Sequence, residues 1–178
     1  MPVDLKRRDG LPPYRTPDHM AKEQGGFEKK IRGSCHCGKI IYWISRDKPL
    51  AAKFCHCSDC KTIHGAPFQW AAIFHKTDMA FDGGIRGLRF YNSRTREAEH
   101  QLPCKVGCAY CGSSIMDEGR NMVLLFPTLL ALDDEQRKDF KPQCHIFWSQ
   151  RVVDIVDDLP KWEGLDEKST LLEGKAPE

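Results

Sequence analysis

Cys35-His36-Cys37-Gly38, Cys55-His56-Cys57-Ser58-Asp59-Cys60 and Cys108-Ala109-Tyr110-Cys111-Gly112 are the stretches on which the reading of this chain turns. Their seven cysteines divide as four plus three. Cys35, Cys37, Cys108 and Cys111 form two short pairs far apart in sequence. Each pair is followed by a glycine, which lets the chain turn tightly enough to aim backbone N–H groups at sulfur. Four thiolates close a tetrahedral zinc site of the structural kind. Cys55, Cys57 and Cys60 supply three thiolates to a second ion from one short loop, and three leave a position open for chemistry. A soft external ligand, a thiolate above all, suits that position, where zinc would lower its pKa and hold the sulfur for attack on an electrophilic carbon. The alternative is a closed second site completed by Cys104, His64 or His100. Of these Cys104 matches the other ligands in type.

Composition narrows the field. At 178 residues the chain has length for one domain with a real core. Lys+Arg of 27 against Asp+Glu of 25 leaves a charge of +2, and Lys6-Arg7-Arg8 is a short basic run, so no nucleic-acid partner is expected. No apolar run approaches the ~20 residues that cross a bilayer. Residues 1–26 are polar and Pro-containing, without the apolar stretch of a secretory signal peptide. The expectation is a cytoplasmic protein with no membrane partner, and homo-oligomer formation stays open. Nine cysteines are an odd number in a chain long for a disulfide scaffold, and residues two apart share a metal more readily than a disulfide.

Along the chain, residues 1–26 read as a flexible N-terminal extension that folds only against the main body. From Phe27 short strands punctuated by turns make the class mostly β. Lys39–Ile44, Phe68–His75, Leu88–Tyr91, Glu97–Leu102, Asn121–Phe126 and His145–Trp148 are the expected strands. In Phe68–His75 alternation puts Phe68, Trp70, Ala72 and Phe74 on one face and Gln69, Ala71, Ile73 and His75 on the other. Helix is expected as a turn after Cys57, in Leu132–Phe140 and in Val152–Leu159. Residues 164–178 read as a frayed C-terminal tail.

At these residues the chain resembles the glutathione-dependent formaldehyde-activating enzymes and the centromere-protein-V-like proteins (the CENP-V/GFA zinc domain family). The matching segments are Gly33-Ser-Cys-His-Cys-Gly38, Cys55-His-Cys-Ser-Asp-Cys60 with Gly65-Ala66-Pro67, Cys108-Ala-Tyr-Cys-Gly112, Pro142-Gln-Cys-His-Ile146 and Asp158-Leu-Pro160. The resemblance covers roughly residues 27–162 and sets a domain at 27–163. It implies an Mss4-like β-tent fold and two zinc ions, with the same division of ligands. It also implies a carbon–sulfur lyase-type reaction, in which glutathione and formaldehyde give S-(hydroxymethyl)glutathione. Gly107 stands where the family usually has an aromatic residue, and Cys104 and Cys144 are extra to the metal pattern.

The function expected is therefore a zinc enzyme that binds a small-molecule thiol at Cys55, Cys57 and Cys60 and adds it reversibly to an aldehyde. A zinc-assisted lyase or isomerase on another metabolite and a non-enzymatic zinc interaction module are the alternatives. Candidate proton carriers are His145 and His64; His36 and His56 are expected to point away from the metals. Cys144 reads as a small buried thiol.

Overall fold

The computed structural model describes residues 10–22 and 25–175; the Lys6-Arg7-Arg8 run lies outside them. Among the described residues twelve strands form, in chain order β1 (Ile31–Ser34), β2 (Ile41–Ile44), β3 (Ala51–Cys55), β4 (Gln69–His75), β5 (Met79–Phe81), β6 (Leu88–Tyr91), β7 (Cys104–Cys108), β8 (Ser114–Glu118), β9 (Met122–Leu125), β10 (His145–Ile146), β11 (Lys161–Trp162) and β12 (Leu171–Glu173). Three short helices accompany them: α1 (Pro17–Met20), α2 (Ser58–His64) and α3 (Asp134–Asp139). The protein is mostly β. One sheet has the order β1-β2-β5, and a nine-stranded sheet runs β12-β11-β10-β3-β4-β9-β8-β7-β6.

The core lies between the two sheets and follows from strand alternation. In β4, Ala72 and Phe74 are fully buried in the main core with Tyr42, Ile44, Phe81, Met116 and Leu125. Gln69, Ala71 and Ile73 take the opposite face, as the alternation in the sequence requires. Its cross-strand partner explains Gly33: on the facing strand the Tyr42 ring lies over it, and a Cβ there would meet ring carbons of Tyr42 at 2.2 Å.

The N-terminal extension contributes to this core. Tyr14 is 2% exposed and stacks on Phe81. Its hydroxyl donates to Glu118 Oε2 at 2.5 Å, while His100 Nε2 lies 2.6 Å from the same oxygen and Lys76 Nζ donates to Oε1 at 2.7 Å. Burial works to raise the Glu118 carboxyl, but the hydrogen bonds from His100, Lys76 and Tyr14 outweigh it and hold it below its ordinary value. A carboxylate lowered in this way adds stability above its unfolded pKa, and that stability is lost as pH falls through the lowered folded value. Glu118→Gln should therefore cost about 1–3 kcal/mol at neutral pH. It should also flatten the acid limb of stability, read from urea unfolding between neutral pH and about pH 3. Equal acid slopes in the two proteins would show that Glu118 is not the linked group.

Four expected elements differ. Glu97–Leu102 is not a strand: Glu97 makes a single bridge to Asn92, whose side chain accepts from the Arg94 and Thr95 amides and turns the chain away. His145–Trp148 pairs over two residues only, because Phe147 adopts left-handed backbone (φ 56°) and a 3₁₀ turn follows. Val152–Leu159 forms no helix. Val152, Val153 and Val156 are exposed, so no apolar stripe exists to bury. The tail is not wholly frayed, since Leu171–Glu173 adds β12 to β11.

Candidate metal centres and the adjoining cavity

The turn after β1 carries Cys35 and Cys37, and the turn between β7 and β8 carries Cys108 and Cys111. Gly38 (φ 74°) and Gly112 (φ 80°) take left-handed backbone at equivalent places. In the first turn the Ile40 amide donates to Cys35 Sγ at 3.3 Å; in the second the Tyr110 amide donates to Cys108 Sγ at 3.4 Å. The four sulfurs all lie within 4.8 Å of one another, with Cys35–Cys37 at 3.5 Å and Cys37–Cys108 at 3.9 Å. Zn–S bonds of about 2.3 Å put tetrahedral sulfurs about 3.8 Å apart, so the donor set fits a zinc ion without rearrangement. Gly107 finds its reason here as well. A Cβ on it would sit 2.8 Å from Arg89 Nε, whose guanidinium crosses the strand to donate to the Gly112 carbonyl at 2.8 Å.

Cys55 ends β3, and Cys57 is the N-cap of α2, its sulfur accepting from the Cys60 amide at 3.4 Å. Helix geometry thus returns Cys60 toward Cys57, and the three sulfurs also lie within 4.8 Å of one another. Hydrogen bonds from Cys55 and then Cys60 push the Cys57 thiol down to about 2, while Cys55 is pushed up to about 12 by its bond to Cys57, and Cys60 is also raised. Three sulfurs so close cannot all be anionic unless a cation replaces the shared protons. The group could therefore hold a metal ion.

Lys105 supplies charge beside this group that no motif announces. Its Nζ lies 3.9 Å from Cys60 Sγ and 2.6 Å from Asp117 Oδ2, which also accepts from Gln69 Nε2 at 3.3 Å. Burial alone would lower the lysine, but Asp117 and Cys60 raise it above its ordinary value. A lysine in a strand has no spacing that marks it, so only the fold reveals it.

The other candidates fall as follows. Cys104 precedes Lys105 on β7, so alternation turns it to the opposite face, into the main core, where its thiol lies 3.6 Å from the Glu99 carbonyl and 3.5 Å from that of Lys105. It is not among the three grouped sulfurs. His100 is engaged with Glu118. His64 ends α2 beside the site, packed edge-on to Phe126, and its Nε2 is buried with no hydrogen-bond partner. Burial lowers its pKa, against the pull of Asp117.

His145 is not at the three-sulfur group. Ile146, its neighbour, pairs with Cys55, whereas His145 pairs with Phe54 and packs against it. His145 Nδ1 meets His56 Nε2 at 2.8 Å, and its Nε2 meets Asp157 Oδ2 at 2.9 Å. Both rings are fully buried around Trp148, and burial followed by His145 pushes His56 down to about 4. His36 is exposed, its amide donating to Ser113 Oγ. Cys144 is buried, and its thiol is pushed up to about 11 by burial and Asp166.

Cys55 and Cys60 open onto a cavity of about 400 Å³. Gln69 and Asp117 stand at that end; Ala71, Ile73, Leu124 and Ile146 form an apolar floor, and residues 165–168 pass along the rim. Volume and lining are those of a small-molecule site. No helix among the described residues is long and apolar enough to cross a membrane.

Residues 30–150 match the family model described as glutathione-dependent formaldehyde-activating enzyme. Among solved structures the chain is similar to a Rhodobacter sphaeroides protein determined by structural genomics, with 21% identity and a TM-score of 0.46 over 60% of this chain and 94% of that one. No curated protein matches at a significant level.

Proposed function

The chain belongs to the glutathione-dependent formaldehyde-activating enzyme family, and from that premise we propose a zinc-dependent, carbon–sulfur lyase-type enzyme that adds a glutathione-like thiol reversibly to an aldehyde such as formaldehyde. Cys35, Cys37, Cys108 and Cys111 would hold a structural zinc, and Cys55, Cys57 and Cys60 a second one. Bound there, the second ion would supply a Lewis-acidic seat that lowers the pKa of an incoming thiol. The observation that carries this reading is the three-sulfur group beside a cavity, with Cys104 turned away from it.

The surrounding residues suit the chemistry. Three thiolates on a divalent cation leave a charge of −1, and the Lys105 ammonium next to Cys60 offsets it. Asp117 fixes that ammonium in place. Lys105 is also a cation beside the sulfur group, where an aldehyde oxygen would gain negative charge during addition. His145 and His56 take no part in proton transfer at this site; their bonds to each other and to Asp157 support β10 behind it.

The test is the ligand field of the cobalt(II)-loaded protein. Adding millimolar glutathione should raise the thiolate-to-cobalt charge-transfer band by one thiolate per second-site ion. A spectrum indifferent to glutathione would mean that the site is closed by the protein, and the proposal would be abandoned.

A further inference from the structure

We propose that, within the thiol–aldehyde reading above, the physiological aldehyde carries an apolar chain that lodges in the cavity beside Cys55 and Cys60. Formaldehyde has no chain and would leave the floor made by Ala71, Ile73, Leu124 and Ile146 in water. Ile73 and Leu124 are direct cross-strand partners, so the floor belongs to the rigid centre of the nine-stranded sheet. The charges around the cavity are balanced: Lys53 is held by Asp166 at 2.5 Å, Lys105 by Asp117 at 2.6 Å, and Glu167 stands next to Lys168 in the lining.

The addition at the cysteine end balances with no further co-reactant. When a thiolate attacks the carbonyl carbon, the S–C bond forms and the C=O π pair moves to oxygen. The proton released by the thiol completes a hydroxyl. The reverse reaction returns thiol and aldehyde.

Ethanal and hexanal have similar carbonyls and differ by four methylenes, each worth about fourfold when buried. With zinc-loaded enzyme and glutathione, kcat/KM should rise roughly 250-fold from ethanal to hexanal. Ile73→Trp, which fills the floor, should cut that ratio to about tenfold or less. Leu124→Ser reads the same ratio should the tryptophan variant not fold. A binding readout stands beside activity: hexan-1-ol, without thiol, should give saturable shifts of the Ile73, Leu124 and Ile146 methyl signals. Turnover of formaldehyde and ethanal with no chain-length preference, or no hexanol binding, overturns the proposal and leaves the thiol–aldehyde reading standing. No turnover of any aldehyde overturns both.

Discussion

Cys108→Ser should yield a protein that carries one zinc fewer and melts at least about 10 °C below the parent, if it folds at all. Cys108 is fully buried at the end of β7, and Cys35 is 2% exposed after β1. The four-sulfur group therefore ties the three-stranded sheet to the nine-stranded one at two turns otherwise joined by the His36 amide on Ser113 and by Lys39 over the Tyr110 ring. Metal-binding free energy at such a site is folding free energy, on the order of 10 kcal/mol in small zinc peptides. A chain with a core of its own depends on it less, and a loss of roughly 4 kcal/mol or more is expected. For a chain of this size ~2–4 °C accompanies each kcal/mol. Metal analysis together with calorimetry decides the matter. One zinc lost with the melting temperature unmoved would show that the site is not structural.

Cys57→Ser should have the opposite profile: a folded protein, one zinc fewer, and thiol–aldehyde turnover reduced at least about a hundredfold. The serine hydroxyl can still accept from the Cys60 amide, so the N-cap of α2 survives the change. What disappears is one soft anionic ligand of three, and with it the stoichiometry that leaves a place for substrate sulfur. The main core does not include this group; Cys55 and Cys60 belong to a smaller cluster with Ile146 and Trp162. The melting temperature should accordingly fall by only a few degrees. Undiminished turnover by a protein with a single zinc would remove the three-cysteine site from the mechanism.

The cysteine groups were readable because metal ligands must come from short, turn-closed spacings, and Gly38 and Gly112 turn as that geometry demands. The face assignments in β4 were readable for a similar reason: a period of two puts Ala72 and Phe74 on the main-core face and Gln69, Ala71 and Ile73 on the opposite, cavity face, whatever the partner strands. Where a side chain points on a strand too short to show a period was not readable. Cys104 and Lys105, and likewise His145 and Ile146, are adjacent residues on opposite faces, and a shift of one position would exchange their roles. Lys105 also lay hidden because its partners, Cys60 and Asp117, are 45 and 12 residues away. The rim of the cavity comes from a stretch near the C-terminus that reads as polar tail but is held by pairing with β11, by the Lys53–Asp166 ion pair and by the Ser169 hydroxyl.

The wide separation of the four-sulfur ligands also sets a timetable for the growing polypeptide. Cys55, Cys57 and Cys60 leave the ribosome almost together and need nothing later to converge. Cys37 must wait for Cys108, 71 residues on, before the knot can be tied. From Cys60 to Cys108 the chain grows for about 2–10 s at ~5–20 residues per second, and in that time the three-cysteine group is complete while the two sheets are still unfastened. On the function proposed above, the ion at the three-cysteine group would be acquired first and the one at the four-sulfur group last.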